Sequence, residues 1–129
     1  RDLHVRSRRQ RQMCIRDRLT LTQLDAITVP ASKQYAITNI LVCNTYSPSG
    51  GSAATRGANF TMHLIPSGSA LNNSVTTVVK ELTLPAGETF TFDSERFIME
   101  AGDKLSFTAS PDQGSGNTDL AVTVSYMEV

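Results

Sequence analysis

His63 lies inside the run Phe60-Thr61-Met62-His63-Leu64-Ile65, and imidazole is the side chain best suited to moving protons near neutral pH. Catalysis by a histidine also needs a nucleophile and an orienting carboxylate within reach, and no motif around His63 proposes either. Its alternation with Phe60, Met62 and Leu64 puts it on the out-facing or second-sheet side of a strand, as a packed or hydrogen-bonded residue. Cys43 closes the apolar run Ile40-Leu41-Val42-Cys43, which reads as a small hydrophobe rather than a nucleophile. The acids Glu81, Glu88, Asp93, Glu95, Glu100 and Asp103 fall at expected strand ends and turns, where carboxylates are solvated. A paired-carboxylate glycosidase would also need aromatic platforms for sugar, and the chain has no Trp and three Tyr. Asp112, Asn117 and Asp119 bracket a Gly-Ser stretch that could offer oxygen ligands to calcium, but the spacing lacks the regular ligand pattern of an EF-hand, and an ordinary polar loop is the expectation. Asn59-Phe60-Thr61 and Asn72-Asn73-Ser74 fit the glycosylation acceptor pattern by count alone. The sequence therefore predicts a non-enzyme with no catalytic, cofactor-binding or metal-ligating residue.

The elements that carry these residues are strands. Phe90 and Phe92 alternate with Thr89 and Thr91, Leu105 and Phe107 alternate with Lys104, Ser106 and Thr108, and Leu120, Val122, Val124 and Tyr126 keep a period of two. No segment holds a helical period for about ten residues, the shortest run that would argue for a helix. Pro30-Ala31-Ser32-Lys33, Pro85-Ala86-Gly87-Glu88 and Glu100-Ala101-Gly102-Asp103 read as three versions of one tight turn, and Pro66-Ser67-Gly68-Ser69 ends the strand before it. Strands are expected near 26–29, 34–44, 59–65, 76–84, 88–93, 97–99, 104–109 and 119–127. Roughly seven or eight short strands without a helix imply an all-β fold, an antiparallel β-sandwich with jelly-roll or Greek-key connections. Two stretches exceed hairpin length, 45–58 and 110–118, and their Ser, Gly and Ala content predicts surface loops.

The first eighteen residues are unlike the rest. They hold seven of the twelve Lys/Arg and two of the twelve acids, a net of +5, which leaves five basic and ten acidic groups, a net of −5, over 19–129. Read back through the genetic code, Arg1-Asp2-Leu3-His4 gives CGA GAT CTA CAC, Arg8-Arg9-Gln10-Arg11-Gln12 gives CGT CGG CAG CGT CAG, and Met13-Cys14-Ile15-Arg16-Asp17 gives ATG TGT ATA AGA GAC. Val5, Arg6 and part of Ser7 fall where a variable sample index belongs. Residues 1–17 thus resemble the translated adapter of a transposase-made short-read sequencing library. A basic arm for nucleic acid or membrane is the rival reading, but such an arm needs only positive charge, whereas here residue identities match in order. The expected organisation is a non-native, disordered or irregular segment over 1–18 and one β-sandwich domain over 19–129. The domain then keeps Cys43 alone, so no disulfide within it is expected. An acidic domain is repelled by phosphate backbones, and no long apolar run is present, so neither nucleic acid nor membrane is an expected partner.

Ile27-Thr28-Val29-Pro30-Ala31, Ile37-Thr38-Asn39-Ile40-Leu41-Val42-Cys43-Asn44 and Phe60-Thr61-Met62-His63-Leu64-Ile65-Pro66-Ser67-Gly68 resemble a family of small virion-associated proteins of tailed bacteriophages. Leu82-Thr83-Leu84-Pro85-Ala86-Gly87-Glu88-Thr89, Met99-Glu100-Ala101-Gly102-Asp103-Lys104-Leu105-Ser106 and Val122-Thr123-Val124-Ser125-Tyr126 continue the resemblance over nearly all of 19–129. It implies a short, β-rich structural component of a phage particle at the tail, baseplate, neck or capsid surface. The implied setting is the virion, with other virion proteins and further copies of the chain, as a homo-oligomer, for partners. The alternative is a module that binds a surface glycan or other host feature through loops 45–58 and 110–118.

Overall fold

A computed structural model describes residues 12–46, 57–93, 96–111 and 118–129. Nine strands run through them in chain order: β1 Gln12–Arg18, β2 Leu24–Thr28, β3 Tyr35–Asn44, β4 Ala58–Ile65, β5 Thr77–Leu84, β6 Thr89–Phe92, β7 Phe97–Met99, β8 Lys104–Pro111 and β9 Leu120–Glu128. One antiparallel sheet has the order β1-β9-β3-β6, with β7 also on β3, and the second has the order β2-β8-β4-β5. Apart from β4–β5 and β6–β7, consecutive strands change sheet, the connection habit of jelly rolls and Greek keys. The expected β-sandwich is the fold, and each of the eight expected strands has its counterpart within two residues at either end.

Alternation explains the core. Phe60 and Met62 from β4, Leu105 and Phe107 from β8, Ile40 and Val42 from β3, and Leu120, Val122 and Val124 from β9 are all fully buried between the sheets. The Phe60 ring packs on Phe90 at 5.6 Å and on Phe107 at 6.4 Å between centroids, so the aromatic centre bridges both sheets.

The three related turns share one geometry. Lys33, Glu88 and Asp103 each donate an N–H to the carbonyl three residues earlier, and the third residue of each turn has positive φ: Ser32 at 65°, Gly87 at 84° and Gly102 at 87°. Pro66–Ser69 is a fourth copy, with Gly68 at 80°. Only at Gly102 is the space also closed, because a Cβ there would run into the Ser67 side chain. Ser67 is held in that place by Asp103, whose Oδ1 accepts its N–H at 2.9 Å while Oδ2 accepts the Glu100 N–H at 2.9 Å. Asp103 is thus a turn clamp and not merely a solvated acid.

Two expectations are corrected. Residues 12–18 are not irregular: they form β1, paired antiparallel to β9 over seven residues from Gln12↔Met127 to Arg18↔Ala121. The reason is the edge they cover, since β9 would otherwise present a free row of N–H and C=O groups, and the alternating Met13 and Ile15 pack against the core from that edge. Residues 1–11 lie outside the described residues. Glu81 is not at a strand end either; it occupies the middle of β5 with φ 46°, where the β4–β5 register shifts between Phe60 and Met62.

Candidate functional site

Strand register assembles a polar row that sequence spacing conceals. Asp25 on β2 lies opposite Ser106 on β8, Ser106 opposite His63 on β4, and His63 opposite Thr77 on β5, so one row crosses all four strands of the second sheet. Ser106 Oγ donates to Asp25 Oδ1 at 2.6 Å, and Gln23 Nε2 donates to the same oxygen at 2.8 Å. The Ser106 hydroxyl, with help from Gln23 and the Lys104 ammonium 3.7 Å away, holds the Asp25 carboxyl below its ordinary range against partial burial.

His63 is buried to 1% exposure although it is on the sheet face away from Phe60. Its Nδ1 is 3.0 Å from Thr76 Oγ1 and 3.5 Å from Thr77 Oγ1. Both hydroxyl protons are already used, by Thr76 toward the Asn72 carbonyl at 2.9 Å and by Thr77 toward the Asn73 carbonyl at 2.8 Å. Nδ1 must therefore carry the proton and donate to Thr76, which leaves Nε2 a bare acceptor, buried and without a partner among the described residues. Burial pushes the imidazole pKa down from its ordinary value near 6.5, so the ring is neutral at pH 7.

Ser, His and Asp in one row invite comparison with a hydrolase triad, but the wiring differs. A triad passes the serine proton to histidine and sets the carboxylate on the far imidazole nitrogen. Here the serine proton goes to Asp25, the imidazole proton goes to Thr76, and Ser106 has no exposed surface. The row therefore acts as a cross-strand tie. The Thr76 side of it also fixes the Asn72–Thr76 turn, since the Asn72 N–H donates back to Thr76 Oγ1 at 3.1 Å.

The other sequence candidates fall apart from this row. Cys43 is half-buried on β3 between Thr89 and Ala121. Asn59 Oδ1 accepts the Ser110 hydroxyl at 2.7 Å, and Asn72 Oδ1 accepts the Ser74 N–H at 2.9 Å. Glu100 accepts Gln34 Nε2 at 2.7 Å. Of the calcium candidates, Asp112 and Asn117 lie outside the described residues, as does Glu95. Asp119 is paired with the Arg18 guanidinium at 2.9 Å. Among the described residues no three His, Cys, Asp or Glu side chains come together as a metal would require.

The ends of both long loops meet at one pole of the sandwich. Thr45 donates its N–H to the Asp119 carbonyl at 2.8 Å and its hydroxyl to the same oxygen at 2.9 Å, and Ala58 pairs with Pro111. Asn44 secures the neighbouring turn, donating Nδ2 to the Leu84 carbonyl at 2.8 Å. Residues 47–56 and 112–117, the bodies of the loops, lie outside the described residues. The chain also leaves β1 for β2 at this pole: Arg18 donates to the Thr118 carbonyl at 3.1 and 3.2 Å, and Leu19, buried to 1%, donates its N–H to the Leu120 carbonyl at 2.8 Å.

No protein-family model matches the chain, and no curated protein is significantly similar to it.

Proposed function

We propose that this chain is a non-enzymatic structural component of a tailed phage particle, resident in the virion and acting by assembly with neighbouring copies. The observation that carries this reading is β9. Its eight residues from Leu120 to Met127 include no charged residue and no proline, and its outer edge takes up a strand over seven residues. Long flat edges of this kind associate unless they are covered, which suits a part that works by packing on copies of itself. The strand-and-turn phrases that resemble small virion-associated proteins point the same way. Within this reading residues 1–17 are a translated library adapter, of which 12–17 have settled on the edge. Mass spectrometry of purified particles is the test: peptides from 19–129 should be present and peptides from 1–17 absent. A particle without the 19–129 peptides would end the reading.

The second reading, a glycan or host-surface module, is favoured by one observation: the bases of loops 45–58 and 110–118 adjoin at a single pole. A glycan array and a bacterial-cell pull-down with the full chain, against a variant lacking 47–56, separate the two. Retention that disappears with the loop would support the module, whereas no retention by the full chain would remove it.

A further inference from the structure

We propose that the outer edge of β9 is a pairing interface for a second copy of this chain, β9 against β9 about a two-fold axis, and that Gln12–Arg18 occupies that place in cis. The proposal rests on the structural reading above and gives it a surface and a geometry.

Three observations lead there. First, β1 is held along its length by seven backbone pairs to β9, with the half-buried Met13 and Ile15 reaching the core, Cys14 Sγ 3.4 Å from Ser125 Oγ, and Arg18 bound at its end to the Thr118 carbonyl and Asp119. A backbone ladder does not depend on side-chain identity, so what seats β1 will seat another extended antiparallel chain with apolar residues at alternate positions. Secondly, β9 meets that description itself, since Leu120, Val122, Val124 and Tyr126 are buried on one face while Ala121, Thr123 and Met127 lie half-buried on the other. Between Leu120 and Met127 it offers no charge to repel its own copy, and the β1 register runs along it without a bulge. A two-fold axis across such a strand makes an isologous antiparallel pair and joins the β9-containing sheets of two sandwiches into one.

Thirdly, the opposite edge of the molecule is built against the same event. β5 has a register shift at Phe60/Met62 and another at Met62/His63, exposed Lys80 and Glu81, and a left-handed residue at Glu81, all of which obstruct a flat ladder. β5 is thereby closed to such pairing.

The cis strand has the advantage of its tether, which is equivalent to a millimolar local concentration for a short connection. The full chain should therefore leave this edge closed, and unseating β1 should open it. Ile15→Pro in the full chain removes a ladder donor and clashes with continued pairing. At about 0.1 mM, well below the tether's effective concentration, light scattering should give the variant twice the mass of the wild type. A synthetic peptide of residues 12–20, added to saturation, should return it to the wild-type mass. A variant that keeps the wild-type mass, or a doubled mass that the peptide does not reverse, overturns the proposal. Should Ile15→Pro fail to fold, Ile15→Lys keeps the backbone donor, loosens only the apolar contact, and is read by the same two measurements. Failure here leaves the virion reading to particle mass spectrometry, which does not depend on this edge.

Discussion

The two sheets finish in opposite ways. On one side of the first sheet β9, uncharged from Leu120 to Met127, accepts β1 in unbroken register, whereas one side of the second sheet ends on β5, which is bulged twice, carries Lys80 and Glu81 outward and leaves its Glu81 N–H to the hydroxyl of Thr61 at 3.0 Å. Sheet proteins must manage their edges, and of these two the β5 edge is managed by its own shape and the β9 edge by a covering strand. The difference assigns different jobs to similar lengths of chain: β5 closes the fold, and β1 closes a surface.

If β1 is a cover and β4 a foundation, the sharpest contrast is between Phe60 and Ile15. Phe60→Ala opens a cavity at the aromatic contacts with Phe90 and Phe107 and should cost about 3–5 kcal/mol. Ile15→Ala, half-buried at the edge, should cost about 1 kcal/mol or less. Urea unfolding of both variants measures the gap, and comparable losses would mean that β1 belongs to the foundation after all.

How legible these edges were in the sequence depends on which physics each one uses. Most of strands β2 to β9 announce themselves because their apolar residues repeat at every second position, as in Leu105-Ser106-Phe107 or Val122-Thr123-Val124, and their turns carry Pro, Gly or Asp. β1 has only Met13 and Ile15 to alternate, set among Arg and Asp, so its strand character comes from the open edge beside it and not from its own pattern. The polar row was hidden for a related reason. Asp25, Ser106 and His63 belong to three strands far apart in sequence, and only the register of a folded sheet aligns them. His63 was readable as a packed, hydrogen-bonded residue from its alternation, but its burial was not, because the Asn72–Thr76 turn that holds it is an ordinary polar stretch until it folds back.

That histidine makes the β5 side of the comparison sensitive to acid. In the unfolded chain His63 takes up a proton near its ordinary pKa of 6.5, while the buried ring in the fold takes one up only at lower pH. Below 6.5 the unfolded state therefore binds more protons, and stability must fall as the pH drops toward the folded value. Asp25 acts in a separate window, since its lowered pKa keeps its contribution in place until the pH falls below 3.8. Urea midpoints at about pH 7.5 and about pH 5.5 should differ for the wild type and much less for His63→Gln. Amide exchange at the lower pH should quicken over residues 72–84 before it quickens over β9. Equal acceleration at both edges would break the comparison.

A smaller effect is expected from Thr61→Val, which keeps the shape of the side chain and removes the acceptor of the Glu81 N–H. The loss should be about 0.5–1.5 kcal/mol, the usual contribution of one hydrogen bond. Because the bulge is also held by its register shifts, the variant should remain at the wild-type mass in light scattering. Association of Thr61→Val would show that this bond, and not the bulge itself, is what keeps β5 from pairing.

The least effect, and the one of opposite sign, belongs to Glu81. A non-glycine residue in the left-handed region costs about 1–2 kcal/mol, and glycine gives back about 0.5–1 kcal/mol of that through its greater freedom in the unfolded chain. Glu81→Gly should then raise stability by up to about 1 kcal/mol, visible as a thermal midpoint a few degrees higher. The side chain is exposed and makes no hydrogen bond or ion pair among the described residues, so the backbone angle of 46° is the quantity under test. A lower midpoint would mean that the left-handed residue is not strained, and the protection of the β5 edge would then come free of conformational cost, unlike the protection of β9, which occupies a whole strand.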